Sequence, residues 1–166
     1  PYGDAKYVDP SGATSFTETT HALSVTAAGR VQLRVSEPLE RFSSAADTLE
    51  SRIEAARELV ATMTGGTTGE ARLYLTGVTE NGTQTVCTFA YYLAGVRVSS
   101  VEPAEVVFDG MQITRATATL RTIQPTAARA ALLPAAQAAV ILQRGQALTL
   151  CYVERAEGDL TVAWKG

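Results

Sequence analysis

Apolar and polar residues alternate along much of this chain, and twice the alternation gives way to a helical period. Val31, Leu33 and Val35 interleave with Gln32 and Arg34. Period two places one face of a strand against a core and the other in water. Residues 21–27 make a shorter strand before it, Gly29 marks the turn between the two, and Pro38 ends the second. The period then changes. Leu49, Ile53, Ala56, Val60 and Met63 recur at steps of four and three, one apolar stripe on a helix. Ser43 or Ser44 is placed to cap that helix, and Gly65-Gly66 stops it. Glu50, Glu54 and Glu58 stack like charges on its polar side, so its stability must come from packing the stripe on a sheet.

Alternation returns at Ala71, Leu73 and Leu75. Asn81-Gly82 reads as a hairpin turn, because both residues tolerate positive φ. Residues 83–92 run back as a strand, Gly95 breaks it, and Val96 to Val98 follow. Residues 104–108 form a new strand that turns at Asp109-Gly110 into residues 113–123. Residues 126–142 are Ala-rich and read as helical. An internal proline costs a helix about 3 kcal/mol but is tolerated in the first turn. The expectation is a short segment up to Leu133, then a helix from Pro134 that Gly145 ends. Leu148, Leu150 and Tyr152 lie in the next strand, Glu157-Gly158-Asp159 turns it, and residues 160–165 close the chain.

The same order of elements thus occurs twice, over roughly residues 21–92 and 104–164. The expected fold class is α+β: tandem strand-strand-helix-strand-strand units, with antiparallel sheets each covered on one face by a helix. Residues 1–17, rich in Gly, Pro, Ser and Asp and carrying Tyr2 and Tyr7, read as a flexible N-terminal arm. Residues 18–100 are the first unit and 101–166 the second, packed together as one compact module.

At 166 residues and 46% apolar, the chain suits one compact domain or two small ones sharing a core. Its 14 Lys and Arg against 17 Asp and Glu give −3, an ordinary soluble surface. Arg115, Arg121, Arg129 and Arg144 are scattered, so no basic footprint supports a nucleic-acid partner. No run approaches the ~18 to 20 apolar residues of a bilayer span; the longest, 135–142, is about two helical turns. The chain starts at Pro1 without a signal pattern, and the expectation is that its natural N-terminus, with any signal or anchor, lies outside this sequence. Cys87 and Cys151 both fall in strands. They read as buried thiols in a reducing compartment, or as a disulfide if the domain is exported.

Candidate chemistry is sparse. His21 is the only histidine, and acid–base work needs positioned partners. There is no HExxH, CxxC or clustered His and Cys set, so no metal site is expected. Gly65-Gly66-Thr67-Thr68-Gly69 follows a helix and lacks the lysine of a phosphate loop. Ser43, Ser44 and the threonines have no evident base, and Asp109 and Asp159 sit in turns, where local backbone donors explain them. No catalytic, cofactor-binding or metal residues are therefore assigned, and no cofactor. Tyr74, Phe89, Tyr91, Tyr92, Tyr152 and Trp164 all fall in strands. They fit core and cross-strand packing, or an exposed aromatic patch for a partner. Tyr91 and Tyr92 must point to opposite faces, so at most one enters the helix-covered core.

The runs FAYYLAGVRV, VVFDGMQITRATATLR, LLPAAQAAVIL and LTLCYVERAEGDLTVAWKG together resemble the extracytoplasmic regions of YycH/YycI-type regulatory proteins of two-component systems, which look like tandem PepSY-related modules. The resemblance covers residues 73–166; the first half joins it through the repeat pattern. It implies a bacterial protein held at the outer face of the membrane by an N-terminal helix, and modulation of a membrane sensor kinase without catalysis. The expected function is a non-catalytic, extracytoplasmic regulatory or protein-interaction domain, binding through a sheet face or a free edge. One alternative is a PepSY-like protease-modulating domain, which needs a protruding segment; residues 64–70 and 95–101 are the candidates. Another is a small-molecule or cell-wall ligand module, which needs a concave pocket between the units. An enzyme would need clustered titratable groups.

Overall fold

Nearly every period-two segment becomes a strand in the computed structural model, and these strands join one sheet instead of two. The structure describes residues 6–66, 68–127, 129–142, 146–156 and 158–166. Tyr2, Thr67, Arg144, the helix stop at Gly145 and the turn residue Glu157 lie outside the described residues.

Strands β1 (Lys6–Val8), β2 (Thr14–Thr17), β3 (His21–Val25) and β4 (Arg30–Val35) form an antiparallel meander. Residues 6–17, read as an arm from their Gly and Pro content, thus supply the first two strands of the sheet. β5 (Arg72–Asn81), β6 (Gln84–Leu93) and β7 (Val96–Val98) follow, then β8 (Ala104–Asp109), β9 (Gln112–Thr119), β10 (Thr149–Ala156) and β11 (Asp159–Lys165). The sheet order is β1-β2-β3-β4-β9-β8-β6-β7-β10-β11, with β5 on the other edge of β6. Thr88 pairs with both Gly77 and Glu105, and Tyr92 with both Arg72 and Arg97, so β7 and β8 share the edge of β6 opposite β5. Among the described strand pairs only β7 with β10 is parallel.

The tandem-unit expectation is therefore wrong. Among the described residues one mixed sheet joins eleven strands, and α1 is the only long helix. β4 pairs with β9 and β6 with β8, so the sheet runs unbroken across the division expected at residue 100. Alternation specifies that a segment is a strand and which residues share its face; it says nothing about which strand lies beside it.

Helix α1 (Leu49–Thr64) covers one face. Its cap is Thr48, whose hydroxyl accepts the Ser51 N–H at 3.2 Å, not Ser43 or Ser44. Gly65, at φ 58°, ends it in the left-handed conformation. Ala55, Ala56, Leu59 and Val60 are its buried apolar residues, while Leu49 is 37% exposed. Ile53 and Met63 pack partly buried against the same cluster, so the expected stripe holds from Ile53 to Met63 and widens to take in Ala55 and Leu59, with small alanines letting the helix come close to the sheet. Against it pack Cys87 and Phe89 of β6, Val106 and Phe108 of β8, and Ile113 and Ala116 of β9. The Glu54–Glu58 repulsion is relieved by Arg57, which donates to Glu54 at 2.6 Å, and by Arg41 near Glu58. These exposed pairs contribute little.

The second expected helix shrinks to one turn, α2 (Ala135–Ala138), followed by a 3-10 turn over Ala139–Ile141. Pro125 and Pro134 interrupt the segment, and its alanines bury too little area to offset a costly helix nucleus; only Ala138 is buried.

Both cysteines are buried and free. Cys87 faces α1. Cys151 shares a cross-strand row with Arg97 and Tyr92, on the opposite face and five residues along β6 from Cys87. That offset is about 17 Å along the strand, beyond the ~7 Å Cα limit for a disulfide.

Candidate functional site

A second apolar cluster lies at the far end of β6, on the same face as Cys87 and Phe89. Ala71, Tyr91, Leu93, Val98 and Ile123 are buried there, with Val101, Tyr152 and Leu160 packed against them. The segment after β9 is fastened over this cluster by backbone pairing. Glu70 N–H donates to the Ile123 carbonyl at 2.9 Å, and Ile123 N–H to the Thr68 carbonyl at 3.1 Å. Thr68 Oγ1 donates to the Ala71 carbonyl, and the Tyr91 hydroxyl to the Thr119 carbonyl at 2.7 Å. Burial raises the Tyr91 phenol above the usual tyrosine value, opposed by a hydrogen bond from the Arg121 backbone.

Between this segment and the β10–β11 hairpin opens a cleft of about 590 Å³, a size that suits a small ligand. Leu93, Ile123, Tyr152 and Leu160 give it an apolar floor. Arg121, Arg129 and Arg155 line it together with Glu154 and Asp159. The Glu154 carboxylate accepts the Gly158 N–H at 2.9 Å, which ties it to the hairpin turn. Among the described residues none of the three guanidiniums joins an ion pair with a carboxylate. The cleft can hold an apolar body and an anionic group.

A second surface is the β5 edge. β5 is ten residues long and pairs, among the described residues, only with β6. Tyr74 and Leu75 are 56% and 39% exposed. Tyr74 stands edge-to-face on Tyr92, ring centroids 5.5 Å apart, on the sheet face that α1 leaves open. Tyr91, by contrast, is 2% exposed, so the pair splits between faces as the alternation requires. A bulge between Leu75 and Gly77 interrupts the ladder, where Thr76 Oγ1 donates to the Thr88 carbonyl.

The residues weighed from sequence are dispersed. His21 lies on β3, far along the sheet order from the cleft, and its ring contacts Glu18 and Thr20, both at 2.9 Å. That hydroxyl–imidazole–carboxylate contact comes from the β2–β3 turn, and the signal for it was local: Glu18 and Thr20 lie within three positions of His21, which was weighed as a lone residue. It lines neither described cavity. Ser43 and Ser44 donate their hydroxyls to backbone carbonyls of Leu39 and Ala46. Asp109 closes β8, and of the two turn aspartates only Asp159 reaches the cleft. Thr64, Thr68 and Val98 are buried, which ties the two candidate protruding segments into the fold. Among the described residues no group of three or more His, Cys, Asp or Glu could hold a metal ion, and no helix is long and apolar enough to cross a membrane. Of the cleft's arginines, Arg121 and Arg129 were read from sequence as scattered charges and Arg155 was not singled out; their meeting is a tertiary fact.

No family model, curated protein or solved structure matches this chain.

Proposed function

We propose that this chain is a non-catalytic interaction domain that binds a partner protein by adding the partner's extended segment to the β5 edge. What supports this is a ten-residue edge strand with a row of main-chain groups on its outer side, beside the exposed Tyr74 and Leu75. Main-chain pairing along such an edge supplies affinity, and side chains on alternate positions supply selectivity. The Tyr74–Tyr92 pair offers an aromatic anchor of the kind that dominates interface energetics. The regulatory role, with a membrane sensor kinase as partner and an extracytoplasmic location, rests on the resemblance of residues 73–166 alone.

The test is photo-crosslinking in the native cell from a probe at position 75, with a probe at Glu58 on the solvent side of α1 as control. The expected result is one protein adduct from position 75 that Tyr74→Lys abolishes. Adducts from Glu58 and none from position 75 would remove the β5 reading. An adduct that is not a membrane kinase would leave edge recognition standing and end the kinase assignment.

A further inference from the structure

Residues 110–153 contain four arginines, no lysine and no Asp or Glu. The stretch is therefore +4 and the rest of the chain −7, which together give the net −3. The stretch also holds the most exposed large apolar side chain described: Val140 is 82% exposed, with Leu133 at 62% and Leu132 at 42%. These residues are not a loose tail. The Trp164 indole N–H donates to the Leu133 carbonyl at 2.8 Å, and Ala138 is 3% exposed against the fold. The result is a shelf of Ala, Leu and Val held in place by β11. At its N-terminal end stand Arg121 and Arg129, lining the cleft and outside any ion pair among the described residues.

We infer that this shelf docks onto an anionic bilayer surface, with Leu132, Leu133 and Val140 entering the acyl boundary and Arg121 and Arg129 meeting lipid phosphates. Three observations select a lipid surface over a protein. The shelf carries no aromatic residue, since none occurs between Phe108 and Tyr152, whereas protein hot spots are enriched in Trp, Tyr and Arg. Its apolar side chains make no directional bonds, which suits hydrocarbon. Within residues 110–153 the only charged residues are arginines, which complement anionic headgroups, and Glu154 and Asp159 lie beyond this stretch on the hairpin side of the cleft. The acidic remainder of the chain does not forbid this, because a Debye length of about 8 Å at physiological salt screens charges on other faces. Docking is peripheral and reversible, and it is separate from recognition at the β5 edge.

Trp164 is the only tryptophan and touches the shelf through Leu133, so it reports binding directly. The full chain is titrated with vesicles of phosphatidylcholine, and of phosphatidylcholine with phosphatidylglycerol, following Trp164 emission and co-sedimentation. The expected result is partition only into the anionic vesicles, a blue shift, quenching by bromine-labelled acyl chains, and weakening as salt is raised. Arg121→Gln and Arg129→Gln should each weaken partition about fivefold. Leu133→Glu with Val140→Glu should abolish it while the far-ultraviolet spectrum and urea midpoint stay unchanged. Equal partition into both vesicle types, none into either, or partition that survives Leu133→Glu with Val140→Glu overturns the inference. So does saturable binding of a soluble short-chain phosphatidylglycerol without vesicle binding, which would make the cleft a single-molecule site. Sedimentation velocity adds one more arm: a dimer dissolved by Val140→Glu, with no vesicle binding, would assign the shelf to a second copy of this chain.

Discussion

Gly69 is the position at which the fold of the cleft is most exposed to a single methyl group. Its φ is 69°, and it bridges Ile123 across an isolated parallel pairing. A Cβ built there would lie well inside van der Waals contact of the Ile123 carbonyl oxygen and against its backbone carbon and nitrogen. Gly69→Ala therefore meets backbone, which no rotamer change relieves. Left-handed φ costs an L-residue about 1–2 kcal/mol. Retreat of Ile123 also breaks its hydrogen bonds with Thr68 and Glu70, about 1 kcal/mol each. Ile123 is 6% exposed, and partial withdrawal from the second cluster loses roughly another 1 kcal/mol. Reduced freedom of the unfolded chain returns ~0.4–1 kcal/mol. The net loss is about 3–4 kcal/mol, near 10 °C in melting temperature for a chain of this size. Gly65→Ala is the control. Gly65 also has positive φ, at 58°, but nothing lies within 4 Å of its would-be Cβ, so it should lose only about 1 kcal/mol. Equilibrium urea unfolding of the three proteins, read by far-ultraviolet circular dichroism and Trp164 emission, measures the difference. If Gly69→Ala is no less stable than Gly65→Ala, the close approach of Ile123 to the 68–70 loop is wrong, and with it one wall of the cleft.

The remaining expectations are smaller. Burial raises both the Cys87 thiol and the Tyr91 phenol, so the folded state prefers their neutral forms. Their contribution is complete below the ordinary values of about 8.5 and 10 and is lost as pH rises through the raised folded values. The urea midpoint should thus fall above about pH 9, and Cys87→Ala with Tyr91→Phe should flatten that alkaline limb; an unchanged limb would assign it to other groups. Tyr91→Phe alone should cost about 1 kcal/mol at neutral pH, because the Thr119 carbonyl loses its donor. Ala94 and Gly95 both have positive φ, at 49° and 79°, in the two-residue turn between β6 and β7. Ala94→Gly should therefore stabilise by roughly 0.5–1 kcal/mol, and a loss on thermal melting would show that the turn does not carry that strain. Neither Cys87 nor Cys151 should react with a maleimide in the native state, and an oxidant should give no intramolecular disulfide on non-reducing electrophoresis, since both thiols are buried on opposite faces.

How much of this could be read from the chain follows from the range of each signal. β4 and β5 were visible in period-two alternation, β6 and β8 as strand runs bounded by turns, and Val96–Val98 matches β7 residue for residue. The hairpin at Asn81-Gly82 was also visible, though the turn residues are Gly82 and Thr83, and Gly82 alone has positive φ. The split of Tyr91 and Tyr92 between faces follows from strand geometry and needs no fold at all. α1 was legible from its stripe and its Gly65 stop, but not its cap, because Ser43, Ser44 and Thr48 are all competent and only the chain path chooses. The Ala-rich segment misled because alanine favours helix locally while offering little to bury, so tertiary packing decided against it. Pairing partners beyond the hairpins were invisible. β4 beside β9 joins residues more than eighty positions apart, and nothing in either strand names the other. The same holds for the cleft. Arg121, Arg129 and Arg155 are isolated charges along the sequence, and they share one cavity only because the segment after β9 is bridged to Gly69 and the β10–β11 hairpin is joined through β7. From residue 21 onward the sequence by itself determined which segments are strands, which face each residue takes and where the chain can turn, since these are set by contacts between near neighbours, whereas β1 and β2 were too short to show a period. Only the tertiary structure decided one sheet over two, free thiols over a disulfide, and a cleft over scattered arginines, because each depends on which distant segments come to lie side by side.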